Sequence, residues 1–252
     1  SLALVPVAMT RSIAPVITRI ERAPLRKLYE VSPLGVFGCA VYGLAMSAFW
    51  ALAPVFFQKT GLGSDRIGYI MSVTILGGFL VQWPVGWVSD RVDRRSVITV
   101  MATLAALVAF ALPFFAGVWT GLLILSLLFG AASFPIYSLT VAHVNDFIDR
   151  GEALAVSSSL LLVYGAGAIA GPIIGGILMD WIGAGGLYYY IAFMFAGIGA
   201  FAVFRMARSG PSPEETHEAF TPTLATTPQV LGLDPRSEPE IEPLAEAERS
   251  TG

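Results

Sequence analysis

Apolar residues run along this chain in long blocks unbroken by Asp, Glu, Lys or Arg: Val31 to Gln58, Ile67 to Ser89, Ser96 to Asn145, Ala153 to Met179 and Trp181 to Phe204. A helix rises about 1.5 Å per residue and so needs about 20 residues to cross the roughly 30 Å hydrocarbon core of a bilayer. Four of the blocks hold one crossing each. The third is about twice as long, and it breaks near Pro113 to Trp119, where proline, glycine and tryptophan gather, into two crossings. The pattern predicts six membrane-spanning helices within residues 33–208. Buried parallel strands are shorter and richer in Val and Ile than these mixed runs, and the ten-residue alternation of a membrane barrel is missing.

Composition agrees, because 55% apolar and 13% charged residues, with a mean hydropathy of +0.71, leave too little polar surface to cover a soluble chain of 252 residues. The basic residues add a direction. Arg11, Arg19, Arg22, Arg26 and Lys27 precede the first predicted span, Arg91, Arg94 and Arg95 follow the second, Arg150 follows the fourth, and Arg205 and Arg208 follow the sixth. The opposite face holds only Lys59 and Arg66. Cytoplasmic loops are enriched in Lys and Arg, so both chain ends are expected in the cytoplasm, with the bundle in a bacterial inner membrane. Trp83, Trp87, Trp119, Trp181 and Tyr188 to Tyr190 fall near predicted span ends, where amphipathic rings favour the headgroup level. Trp50 lies deeper, either packed on a neighbouring helix or lining a cavity.

The flanks differ from the middle. Residues 1–9 read as the end of a transmembrane helix begun upstream, and 10–32 as a basic cytoplasmic linker. Residues 209–252 carry nine acidic residues against Arg236 and Arg249, with several prolines, and are expected to form a disordered acidic cytoplasmic tail. Cys39 is the only cysteine, which excludes an intramolecular disulfide and a cysteine-cluster metal site. No GxxxxGK[ST] run is present, and no cofactor, metal or nucleic acid is expected. His143, Asn145, Asp146, Asp149, Arg150 and Glu152 share one short connector, where helix capping and topology explain them better than catalysis. An enzyme is not expected.

One loop carries a motif. Gly86-Trp-Val-Ser-Asp90-Arg91-Val-Asp93-Arg94-Arg95 joins the second and third spans, and so short a link predicts that these two helices are close antiparallel neighbours. Gly86 would let another helix backbone approach. Asp90 could cap the third span or face the positive N-terminal end of a neighbouring helix, and the arginines could pair with it or with lipid phosphates. The loop resembles the GxxxD[RK]xGR[RK] signature of major facilitator superfamily transporters, matching at Gly86, Asp90, Arg91, Arg94 and Arg95 and departing at Asp93, where glycine is usual. The departure puts the local turn and charge network in question.

That resemblance implies an all-α membrane protein, the six-helix C-terminal half of a twelve-helix fold working by alternating access. It implies as partners the lipid bilayer, an N-terminal six-helix half outside this sequence, a small-molecule solute and a coupling proton or other ion. Asp90 would stabilise the closed cytoplasmic side. In the fifth span Gly167, Gly171 and Gly175, four apart, make a smooth groove for a neighbouring helix, and Pro172 is expected to bend it. This stretch looks like the Gly- and Pro-rich helices of the same superfamily, where it contributes to packing or conformational change.

No ionisable residue lies deep in a predicted span. Polar side chains in otherwise apolar helices nominate Tyr42, Ser47, Thr74, Gln82 and Tyr164 as cavity residues, each of which could instead bond a neighbouring carbonyl or helix. The resemblance, which implies that the first helix of this half lines the cavity, favours Tyr42 and Ser47 and adds Trp50. The expected function is secondary active transport. The competing expectation is a non-transporting membrane scaffold or accessory protein with the same fold.

Overall fold

A computed structural model describes residues 25–148 and 153–208. The expected helix end at 1–9, most of the linker, Asp149, Arg150 and Glu152 of the connector, and the acidic tail lie outside the described residues. Near its end the linker forms a short helix, α1 (Leu25–Val31). Helix α2 (Pro33–Lys59) begins where Ser32 accepts a hydrogen bond from the Gly35 amide at 3.3 Å, with Pro33 in the first turn, where its missing N–H costs nothing. Then come α3 (Ser64–Ser89), α4 (Arg94–Ala111), a 3₁₀ turn at Leu112–Phe115, α5 (Trp119–Asn145), α6 (Ala153–Ile182) and α7 (Gly186–Arg208). The break expected at Pro113 to Trp119 is that 3₁₀ turn. Gly61 and Gly183, at φ +90° and +93°, take left-handed backbone just past the ends of α2 and α6, which a side chain would strain. Among the described residues all regular structure is helical, and six helices are long and apolar enough to cross a membrane.

Neighbours in the bundle are set by packing, not by sequence order. The most extensive contacts join α2 with α6, α3 with α5, and α4 with α7, while α5 also meets α4 and α7 also meets α2. The sequence reading of α3 and α4 as close neighbours is therefore corrected, for these two helices make few contacts despite their short link. A link fixes where two helix ends lie. Which flank packs depends on side-chain fit in a solvent as apolar as the helices themselves.

The reason is visible at the glycines. A Cβ added to Gly167 would meet the Ala40 carbonyl, one at Gly171 the Leu44 carbonyl and Ser47 Oγ, and one at Gly43 the Tyr164 carbonyl, so α2 and α6 touch backbone to backbone. Gly175 faces Leu52, Ala48 and Leu187 at 3.2 to 3.4 Å. A second seam of the same kind joins α3 to α5, where Gly77 lies on the Leu127 carbonyl and Gly130 on that of Thr74. Gly86 differs, since nothing lies within 4 Å of a Cβ placed there. Among the described residues, then, it admits no neighbouring backbone. Helix α6 runs unbroken through Pro172 from Ala153 to Ile182.

Large aromatic side chains fill the centre, with Phe49 against Phe129 at 5.0 Å, Phe129 against Phe195 at 6.2 Å and Tyr188 against Phe56 at 4.7 Å. Tyr188 is 1% exposed, so it belongs to this core and not to the interfacial belt expected for it. Trp83, Trp87 and Trp181 are exposed, and Trp119 lies under the Arg66 guanidinium, 5.2 Å from the ring centroid. Two buried hydroxyls are satisfied inside their own helix, as Ser133 Oγ donates to the Phe129 carbonyl and Thr140 Oγ1 to that of Ile136, both at 2.7 Å.

Candidate functional site

Four helices converge on a cleft of about 400 Å³. Tyr42, Met46 and Trp50, each four residues from the next, line it from one face of α2. Gln82 reaches it from α3, Phe134 and Tyr137 from α5, and Leu161 and Tyr164 from α6. The close α2–α6 approach places Tyr164 beside α2, and the α3–α5 approach brings Gln82 to α5, where its Nε2 donates to Ser138 Oγ at 3.4 Å. Three phenol rings form one cluster, with centroid separations of 5.7 Å for Tyr42–Tyr137, 6.2 Å for Tyr42–Tyr164 and 5.5 Å for Tyr137–Tyr164. Trp50 is 44% exposed and lies 5.9 Å from Phe134.

Of the cavity candidates, Tyr42, Trp50, Gln82 and Tyr164 are brought together here. Ser47 and Thr74 are not among the lining residues. Ser47 Oγ donates to the Leu44 carbonyl at 3.4 Å and lies where a Cβ on Gly171 would fall. Thr74 is 1% exposed, donates to the Ile70 carbonyl at 2.9 Å and sits in the glycine seam with Gly130. A helical hydroxyl often finds its partner one turn back, and polarity alone does not separate that case from a cavity lining. Tyr137, a polar side chain in an apolar helix, meets the same criterion and lines the cleft. Met46 is recoverable from its spacing between Tyr42 and Trp50, whereas Phe134 and Leu161 carry no distinguishing signal.

The second candidate site is the charged end where α3, α4 and α5 meet. Asp90 is the C-cap of α3, while the residue that caps α4 is Asp93, whose carboxylate accepts from the Arg95 amide at 2.9 Å. The expectation that Asp90 caps the third span is thus corrected. Asp93 has φ −53°, an ordinary value, so glycine's freedom is not needed and the departure from the signature supplies a cap instead. The Arg95 guanidinium, in a residue 7% exposed, returns to the same carboxylate, with Nη2 to Oδ2 at 2.9 Å. Burial pushes the Asp93 carboxyl up, but the Arg95 hydrogen bonds and charge, with a smaller contribution from His143, outweigh it and hold the group below the usual aspartate range.

Arg94 spans two carboxylates. Its Nη2 lies 3.4 Å from Asp90 Oδ1 and its Nε 2.9 Å from Asp146 Oδ2 at the end of α5. The Arg94 and Asp146 side chains are 11% and 15% exposed, against 67% for Asp90. Arg91 instead stacks on Trp87, 3.8 Å from the ring centroid, and donates to the Trp87 carbonyl at 3.0 Å. Asp146 and His143 stood in the sequence as members of a separate connector. Their approach to the motif follows from α5 packing against α4, which no local pattern records. Among the described residues no group of three or more His, Cys, Asp or Glu is placed to hold a metal.

The Major Facilitator Superfamily profile matches residues 35–241. Over 147 residues the chain is 31% identical to the uncharacterized MFS-type transporter YcaD of Escherichia coli O17:K52:H18, covering 58% of this chain and 37% of that protein. The YcaD proteins of Salmonella paratyphi B and Salmonella newport match to the same extent. The match spans a little over a third of the length of these curated relatives.

Proposed function

The chain belongs to the Major Facilitator Superfamily, its six apolar helices forming a membrane-spanning half of the larger fold, and on that premise we propose that it carries out secondary active transport of a small solute. In this reading the chain supplies the C-terminal half, with 10–32 as the cytoplasmic linker, 209–252 as a cytoplasmic tail and the basic loops on the inner side of a bacterial inner membrane. The N-terminal half completes the cavity, and alternating access opens it to each side in turn, coupled to a proton or other ion. Gly167, Gly171 and Gly175 hold α6 against α2 while the bundle moves as a unit.

The observation that carries this reading is Arg94 held between a shielded carboxylate, Asp146, and an exposed one, Asp90. The shielded pair ties α4 to α5. The exposed carboxylate remains available to a group outside the chain, as a gate needs when the inner side closes. Family membership supports transport as the use of such an arrangement, and in this reading Asp90 is its control point.

Flux in proteoliposomes tests it. The full-length protein should move at least one solute of a broad panel in a gradient-dependent way, and Asp90→Ala should lower that rate severalfold at unchanged membrane abundance. A wild-type rate in Asp90→Ala would remove the gating role. Stable assembly with a partner protein, with no flux across the panel, would favour the scaffold.

A further inference from the structure

Taking the cleft as a solute site, a premise that rests on the transport reading, we propose that it accepts an uncharged aromatic solute bearing a hydrogen-bonding group, with Gln82 as the residue that sets this preference. The described residues lining the cleft include no Asp, Glu, Lys, Arg or His. An ion entering walls of this kind would lose hydration without gaining a counter-charge from them. A flat neutral ring loses little and gains contact with Trp50, Phe134 and the tyrosine cluster, whose edges and faces suit offset or edge-on stacking. This half alone leaves a cleft of about 400 Å³, room for an aromatic ring to lie against these walls.

Aromatic walls can also attract cations. Here, however, the phenol rings lie 5.5 to 6.2 Å apart, in contact with one another, and so do not leave a gap between faces for a cation to occupy. Gln82 supplies the polar element. It is exposed, and at 3.4 Å its bond to Ser138 is long, so the carboxamide can be drawn to a solute at little cost and can both donate and accept. Gln82 also lines a second, apolar groove with Phe79, Leu80, Trp83 and Pro84 on α3, so its amide lies where the two pockets meet.

The full-length protein in lipid nanodiscs tests the proposal with three probes: neutral N-phenyl-1-naphthylamine, its anionic sulfonate 8-anilinonaphthalene-1-sulfonate, and cationic tetraphenylphosphonium. Naphthylamine binding is read as its saturable fluorescence increase above that in empty nanodiscs, and the other two by competition. We expect saturable naphthylamine binding, with both ions about tenfold weaker or worse. Gln82→Leu should weaken the neutral probe roughly three- to tenfold. Gln82→Glu should tighten tetraphenylphosphonium by about tenfold or more, because a carboxylate would then face it across an apolar wall.

Either ion binding the wild-type protein as tightly as the neutral probe overturns the proposal, as do Gln82 variants that leave all three affinities unchanged. If the Gln82 variants do not accumulate, Tyr137→Leu decides: a loss of about threefold or more in naphthylamine affinity supports the proposal, and unchanged affinity overturns it. The two readings fail separately. Gradient-driven flux of some other solute without naphthylamine binding would sink this inference alone, whereas saturable naphthylamine binding with no flux of any solute would sink the transport reading.

Discussion

Where α2 meets α6, backbone lies on backbone through Gly43, Gly167 and Gly171, but where α4 meets α7, Ala102 and Thr103 stand between the helices and Gly199 has nothing closer to a built Cβ than Thr103 Oγ1 at 3.3 Å. At Gly43 and Gly167 the first seam's nearest neighbours are backbone atoms that cannot turn aside, with Ser47 Oγ a rotatable neighbour beside the Leu44 carbonyl at Gly171. The second has a rotatable hydroxyl at its tightest point. Lipid offers no hydrophobic force to press helices together, so the glycine seams must gain their attraction from closeness itself, and they cannot lose it by degrees. The same contrast between a fixed and a yielding contact recurs at the basic end, where Arg94 holds one shielded and one exposed carboxylate.

The largest expected effect breaks one of the two glycine seams, α2 on α6 or α3 on α5. Gly167→Leu or Gly130→Leu should destabilise the bundle by about 3 kcal/mol or more, since a fixed carbonyl occupies the space. Gly199→Ala should cost under about 1 kcal/mol, and Gly165→Ala, at an open position, should stabilise by about 0.5 kcal/mol or more through helix propensity. Denaturant titration of the purified protein in mixed micelles orders the four. Equal costs at Gly167 and Gly199 would erase the distinction.

Next in size is the pair of Arg94 partners. Asp146→Asn leaves the shielded guanidinium short of its nearer counter-charge and should cost about 2 to 3 kcal/mol, whereas Asp90→Asn should cost under about 1 kcal/mol because that carboxylate is largely in water. The same titration measures both, and flux measures the reverse order of functional effect. The smallest effect is in pH. Asp93 titrates lower when folded than its ordinary value of about 3.9, so its stabilising contribution is complete above that value and is lost as pH falls through the folded one. Asp93→Asn should lower stability most at neutral pH and flatten the acid limb below about pH 4, where the wild-type contribution is itself lost, which melting curves across pH would register.

Much of the architecture was legible beforehand. Span number, the break at Pro113 to Trp119 and the clustering of Arg91, Arg94 and Arg95 at one end are local facts, each decided by whether a short stretch can sit in hydrocarbon. The glycine face of Gly167, Gly171 and Gly175 was also readable, because a spacing of four fixes a helix face. Its partner was not. Gly43, Gly77 and Gly130 carry no spacing that stands out, and they matter only because another backbone arrives opposite them. Four of the six cavity candidates line the cleft, while Ser47 and Thr74 turn to carbonyls in their own helix, a choice that polarity leaves open.

What the chain alone determined, then, is which residues enter the bilayer and which charges stay at its edge, since burying a charge or an unpaired amide in hydrocarbon is prohibitive wherever the segment lies. Pairing of α2 with α6, of α3 with α5 and of α4 with α7 came only from the assembled bundle. Helix association in lipid turns on surfaces from distant segments matching within fractions of an ångström, and that match is a property of two surfaces together, invisible in either one.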